Sequence, residues 1–123
     1  MAGRPYFLDL MQIRFPVGAV CSIGHRVSGV VLALAAPLAV YLLAHSLDGP
    51  QGYKQVAEWL APFPVRTGLV LFVWAFAHHV LAGTRHLLMD VDVGFKLSVA
   101  RRSAWTVNVA GFGVALLAAA ALL

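Results

Sequence analysis

Residues 27–47 read VSGVVLALAAPLAVYLLAHSL, 21 consecutive positions without Asp, Glu, Lys or Arg. A helix rises about 1.5 Å per residue, so roughly 20 apolar residues cross the roughly 30 Å of hydrocarbon in a bilayer. Two further uncharged runs follow, 67–84 with 18 residues and 103–123 with 21. Each is long enough to span, the second with help from its flanks. Inside lipid only helices and closed barrels satisfy every backbone donor and acceptor, and none of these runs alternates with the period of two that a barrel strand needs. The runs therefore predict an all-α integral membrane protein with three transmembrane helices, over about 17–47, 66–89 and 103–123, in a single transmembrane domain spanning 1–123. Composition agrees: 61% of the 123 residues are hydrophobic and 11% charged, against about 45–50% and about 25% in an ordinary soluble domain. A soluble fold this small cannot hide so much apolar surface, which excludes a soluble enzyme, a disordered tail and a nucleic-acid binder and makes membrane lipid the surrounding medium. The one cysteine, Cys21, excludes an intramolecular disulfide and any thiolate metal site built by this chain alone.

The first helix is expected to begin near Pro16. The stretch FPVGAVCSIGH between Arg14 and Arg26 is apolar apart from Ser22 and His25, and proline suits a first helical turn whose N–H has no partner anyway. Pro37 lies inside the helix and is expected to bend it. Residues 48–65, DGPQGYKQVAEWLAPFPV, predict a loop carrying one short surface helix around 53–60. Orientation follows from the basic residues. Arg4, Arg14 and Arg26 on the N-terminal side and Arg85, Lys96, Arg101 and Arg102 in the second loop make seven of the nine, leaving Lys54 and Arg66 for the first loop. The N-terminus and second loop should be cytoplasmic, and the first loop and C-terminus periplasmic. Arg4, Pro5 and Asp9 interrupt residues 1–10, so no apolar stretch of signal-peptide length stands there and the first helix should drive insertion.

Ionisable groups within membrane segments are costly, and each is a functional candidate. One cluster is SIGHRVSG at 22–29; the other is HHVLAGTRHLLMD at 78–90. Ser22, His25, Arg26 and Gly29 fall at i, i+3, i+4 and i+7, one helical face, and His79, Gly83, His86 and Asp90 likewise share a stripe. Gly83, with no side chain, would let a flat ligand lie close to the backbone. By the orientation above, His25, Arg26, Arg85 and His86 sit near the cytoplasmic boundary, while His79 is seven residues deeper than His86, roughly 10 Å along a helix. A neutral imidazole at that depth beside a glycine, with cations nearer the surface, fits a haem ligand. The haem propionates would then point toward His25, Arg26 or His86, since an arginine fork matches a carboxylate. His25 reaches such an iron only if its helix sits deeper, so the second axial histidine is expected from another polypeptide. The Ser22 hydroxyl and the Arg26 cation would hydrogen-bond a membrane quinone carbonyl and stabilise negative charge developing there.

Plainer readings stand beside these. His79 and His86 are also what cofactor-free helix–helix hydrogen bonding would use; Ser22 packs well between helices, and Arg26 and Arg85 serve equally as snorkelling topology anchors. His45 reads as an interfacial residue and His78 as a helix-packing one. Asp90 and Asp92 read as solvated loop charges, with Asp90 also placed to pair with Arg85 or His86. Cys21 reads as an apolar filler, and Trp59, Trp74 and Trp105 as interfacial or packing aromatics.

The residues also carry a resemblance. Arg4-Pro5, Leu8-Asp9-Leu10, Ile13-Arg14-Phe15-Pro16, Ser22-Ile23 and His25-Arg26-Val27-Ser28-Gly29 resemble the start of the bacterial cytochrome b membrane anchor of succinate dehydrogenase. His79, Gly83, Arg85-His86 and Met89-Asp90 resemble the second helix of the same family. The third helix carries no distinguishing motif. The resemblance implies a member of respiratory complex II, in electron transport and the tricarboxylic acid cycle, that has no catalysis of its own. It implies one haem b shared with a second hydrophobic anchor subunit, with His79 as an axial iron ligand and the other histidine from the partner. It further implies His25, Arg26 and His86 near the haem propionates, and Ser22 and Arg26 lining a ubiquinone pocket. That pocket is completed by the partner anchor and by the iron–sulfur subunit, and a separate flavoprotein subunit oxidises succinate. Two other readings fit the same residues: the anchor of a quinol:fumarate reductase, running the reaction backwards, and a cofactor-free three-helix protein that packs or assembles other subunits.

Overall fold

The computed structural model describes residues 14–123. Arg4, the residue 1–10 stretch and the part of the motif at 4–13 lie outside the described residues. The chain forms four helices, α1 (Val17–Ser46), α2 (Pro50–Leu60), α3 (Phe63–Asp90) and α4 (Leu97–Leu122), and no strand occurs among the described residues. The 3 long helices, α1, α3 and α4, have the length and apolar composition to cross a membrane. With 30, 28 and 26 residues, each exceeds the roughly 30 Å hydrocarbon thickness and must tilt or run into the headgroup layer. α1 is continuous through Pro37.

Several helices start before their charge-free runs do, for identifiable reasons. α2 opens on Pro50 and α3 on Phe63-Pro64, where proline's fixed φ favours a first turn. α4 starts at Leu97 and carries Arg101 and Arg102 in its first two turns. Uncharged sequence marks the hydrocarbon layer, whereas the helix itself extends into the polar interface, where guanidinium groups are solvated. The turn before α4 passes through Asp92 and Gly94, both at positive φ.

The three long helices run alternately up and down, tied at both ends of the α3–α4 pair. Arg85 Nη2 donates to the Ala100 carbonyl at 3.0 Å at one end, and Arg66 Nη1 to the Leu122 carbonyl at 3.0 Å at the other. The start of α1, the end of α3 and the start of α4 therefore share one end of the bundle, with Arg14, Arg85, Lys96, Arg101 and Arg102.

The core is a seam of small residues. The buried positions of the three long helices are Cys21 and Ser28 on α1, Ala75, His78 and Ala82 on α3, and Ala104, Val107 and Gly111 on α4. Their spacings of three, four and seven put each set on one helical face. Lipid tails are as apolar as leucine, so helices in a membrane associate through close packing and hydrogen bonds, and small residues permit the approach. Large apolar side chains point outward instead: Leu34 is 75% exposed and Leu117 73%. Farther along, α1 and α3 part around an apolar groove of about 320 Å³ lined by Ala35, Leu38, Leu42, Val65, Gly68 and Phe72. α2 closes that end. Its Gly52 packs on the His45 carbonyl, His45 Nε2–H donates to Gln55 Oε1 at 2.8 Å, and the Trp59 ring stacks on His45 at 5.1 Å.

Because the seam admits no larger side chain, Ala82→Leu should destabilise the bundle by roughly 1–3 kcal/mol, the usual cost of overpacking. Thermal unfolding followed by circular dichroism in detergent measures it.

Candidate functional site

His79 projects from the second half of α3 toward the first half of α1. Its Nδ1 lies 3.1 Å from the His25 carbonyl oxygen and 3.2 Å from Ser28 Oγ. A carbonyl oxygen only accepts, so this contact requires the proton on Nδ1, and in the neutral ring that tautomer leaves the Nε2 lone pair free. Ser28 is itself fixed, donating its hydroxyl to the same carbonyl at 2.8 Å, one turn back along α1. The ring also needs room. A Cβ on Gly29 would stand 3.1 Å from His79 Cε1, a contact that would force the ring to shift. Three members of the SIGHRVSG stretch thus serve one histidine: His25 by its backbone oxygen, Ser28 by its hydroxyl, Gly29 by its missing side chain.

The level of His25 differs from the sequence expectation. Residue counting puts it nearer the cytoplasm than His79, yet the two rings are stacked, with centroids 4.2 Å apart and planes 13° apart. The same ring meets His86 edge-on at 5.1 Å, so His25 bridges the two levels of α3. Residue counting does not fix how far the antiparallel helices α1 and α3 slide past one another, and in this packing their axial offset brings residues of different nominal depth together. Gly83 also differs from its expected role. The space it leaves is taken by His25, whose Nε2 is 3.3 Å from where a Cβ would stand. Ser22 is half-buried and Arg26 exposed; the helical positions of both continue the flank of α1 that carries His25 and Gly29.

Among the described residues no three His, Cys, Asp or Glu side chains converge as a self-contained metal cage would. The chain instead offers one imidazole nitrogen with its ring held from behind. Asp90 and Asp92 are both exposed, and neither makes an ion pair among the described residues, as expected of solvated charges. Arg85, expected as an anchor, is a clamp: Nε donates to Ser103 Oγ at 2.9 Å and Nη2 to the Ala100 carbonyl.

His78 is more deeply placed than its expected packing role required. It is 3% exposed, and its Nε2 lies 3.1 Å from Asn108 Oδ1 on α4. Its Nδ1 is buried with no partner among the described residues, a desolvation cost on the order of 1–3 kcal/mol. Trp74 packs at 5.4 Å. Asn108 is absent from the sequence expectations, although it is the one amide in the otherwise apolar stretch of α4, and that isolation was the available signal.

Comparison with known proteins adds a separate line of observation. Residues 2–119 match the family described as succinate dehydrogenase/fumarate reductase transmembrane subunit. A succinate dehydrogenase cytochrome b556 subunit from Coxiella burnetii is 39% identical over 116 residues, 90% of each chain. Subunits of the same name are 31% identical over 105 residues in Paracoccus denitrificans, 82% of this chain and 78% of that one, and 29% identical over 106 residues in Rickettsia typhi, 86% and 82%.

The clamp on α4 can be tested by itself. Arg85→Met removes two charge-assisted donors at once and should destabilise the bundle by roughly 1.5–3 kcal/mol, read as a lowered midpoint of thermal unfolding.

Proposed function

The chain belongs to the succinate dehydrogenase/fumarate reductase transmembrane subunit family, and from that premise we propose that it is the cytochrome b membrane anchor of a bacterial succinate:ubiquinone oxidoreductase. In this reading it is a non-catalytic electron-transfer subunit of the inner membrane. It holds haem b together with a second anchor subunit and forms part of the ubiquinone-reduction site. An iron–sulfur subunit docks on its cytoplasmic face, and a flavoprotein subunit oxidises succinate. The N-terminus is cytoplasmic and the C-terminus periplasmic, on the strength of the basic residues gathered at one end of the bundle. The named relatives are dehydrogenase subunits, which supports succinate oxidation over fumarate reduction as the working direction.

The observation that carries this reading is the bond from His79 Nδ1–H to the His25 carbonyl. Histidines that ligate metals donate their other ring N–H to a carbonyl or carboxylate, which fixes tautomer and ring plane and raises the basicity of the ligating nitrogen. His79 has that support, so the residues present fit a haem held through its Nε2. Haem b supplies one-electron redox chemistry when bound. The remaining duties fall to side chains. The His25 carbonyl and the Ser28 hydroxyl keep the proton on Nδ1 and stop the ring from turning. The Arg26 guanidinium offers a fork, and His25 and His86 offer ring N–H donors, to propionate carboxylates. Ser22 Oγ and Arg26, one turn apart on α1, donate to a quinone carbonyl and stabilise the negative charge that builds on its oxygen.

His25 lies face to face with His79 at 4.2 Å, leaving no room for a haem between the two rings, which supports a partner subunit as the source of the second histidine that would hold the group.

In the assembled complex, His79→Ala should abolish the b-type band in reduced-minus-oxidised spectra; an unchanged band would remove His79 as the ligand, and absence of any band in the wild type would favour a cofactor-free anchor. Ser22→Ala and Arg26→Leu should each slow quinone reduction, for Arg26→Leu roughly 10–100-fold, the equivalent of one lost charge-assisted hydrogen bond. Both variants should still pass electrons from succinate to an artificial dye at the wild-type rate. Normal quinone turnover in both would put the quinone site elsewhere.

A further inference from the structure

His78 has no task in the function proposed above, yet the bundle is built closely around it. The ring is 3% exposed and lies where the three long helices meet. On the α1 side, a Cβ on Gly24 would stand 2.6 Å from its Cε1 and 3.0 Å from its Nε2. On the α4 side, a Cβ on Gly111 would stand 3.2 Å from its Cδ2. A side chain at either glycine would push against the ring. Between them, Nε2–H donates to Asn108 Oδ1 at 3.1 Å, and Nδ1 has no partner among the described residues.

A phenylalanine would fill the same seat without stranding a buried nitrogen. What the imidazole adds is direction, because a hydrogen bond constrains angle as well as distance, whereas apolar contact does not. Neighbouring residues on a helix point about 100° apart, so any rotation of α3 about its axis turns His78 and His79 together. The two histidines hold α3 from opposite partners: His78 is bonded to α4, and His79 to the His25 carbonyl on α1 at 3.1 Å.

We propose that His78 is a positioning residue for its neighbour: the buried His78–Asn108 bond, seated between Gly24 and Gly111, fixes the rotation of α3 and so the direction in which His79 presents Nε2. This rests on the reading of His79 as the haem ligand. Replacing only one partner would orphan the other, so the informative variant is the double one, His78→Phe with Asn108→Leu, which keeps the seat filled and removes both polar atoms.

In the assembled complex, the double variant should retain wild-type haem content. Its midpoint potential and the low-spin electron paramagnetic resonance signal of the oxidised haem should both shift. The conservative His78→Gln, whose terminal amide can still donate to Asn108, should restore the wild-type signal. A readout without haem comes from spin labels on cysteines placed at the exposed positions Leu34 of α1 and Leu87 of α3, in a Cys21→Ala background. Their distance should shift in the double variant and return in His78→Gln. An unchanged label distance or an unchanged haem signature in the double variant overturns the proposal, as does a His78→Gln variant that behaves like the double one. A b-type band that survives His79→Ala would retire the ligand reading alone, and the label distance would then decide whether His78 sets the rotation of α3.

Discussion

The approach of α1 to α3 is governed by imidazole rings meeting glycine backbone. Gly24 faces His78, Gly29 faces His79, and, in the other direction, Gly83 of α3 faces His25 of α1. Gly111 of α4 closes on the far side of His78. Each ring occupies volume that a side chain on the facing helix would otherwise claim, so the helices come close without expelling their polar residues. That proximity is what brings a main-chain oxygen of α1 within 3.1 Å of His79 Nδ1. A helix carbonyl normally belongs to its own helix, and it reaches a neighbour's side chain only when backbones are near and the intervening positions are small. The hydrogen bond, the ring stack with His25 and the tautomer of His79 all descend from this fit.

The same fit explains why the buried core is so meagre. Apart from His78, its members are Cys, Ser, Ala, Val and Gly, while large leucine, phenylalanine and tryptophan side chains lie on the outside. In water such a molecule would have little to hold it together, because burial of large side chains supplies most of a soluble fold's stability. In a bilayer that driving force is absent, and close packing with a few interhelical hydrogen bonds takes its place. Arg85 and Arg66 pin the two ends of the α3–α4 pair, and the histidines pin the middle. The outer apolar surface is left for lipid, and in the function proposed above part of it meets a second anchor subunit.

Much of this is visible in the residues themselves. The charge-free runs give the number of spans, and helical spacing puts Ser22, His25, Arg26 and Gly29 on one face and His79, Gly83 and His86 on another. The family resemblance drawn from those motifs agrees with the match over residues 2–119. Helix ends are less legible, as α4 shows: it begins at Leu97, well before its uncharged run at Ser103, because charge reports the edge of the hydrocarbon, not the edge of the hydrogen-bonded helix. Counting residues misjudges the depth of His25, since it ignores how far two antiparallel helices slide past one another. Gly83 matters for its missing side chain, as its spacing suggests, but the neighbour that uses the space is His25. Asn108 is marked only by its isolation as an amide in an apolar stretch, because a lone amide announces no partner until another helix is laid against it.

An all-α membrane protein, its three spans, its family and the two polar stretches where chemistry would lie can all be read from the order of residues. Those follow from local quantities: the transfer cost of charge, the rise of a helix and the period of about 3.6. Three features instead emerge only when the helices are packed together: which nitrogen of His79 is protonated, the contribution of the His25 carbonyl beside that of its ring, and the locking of His78 to Asn108 between two glycines. They depend on axial rotation and sliding between helices. Both are set by contacts between residues far apart in the chain, 30 positions for His78 and Asn108 and 54 for His79 and His25, and no pattern within one helix encodes them.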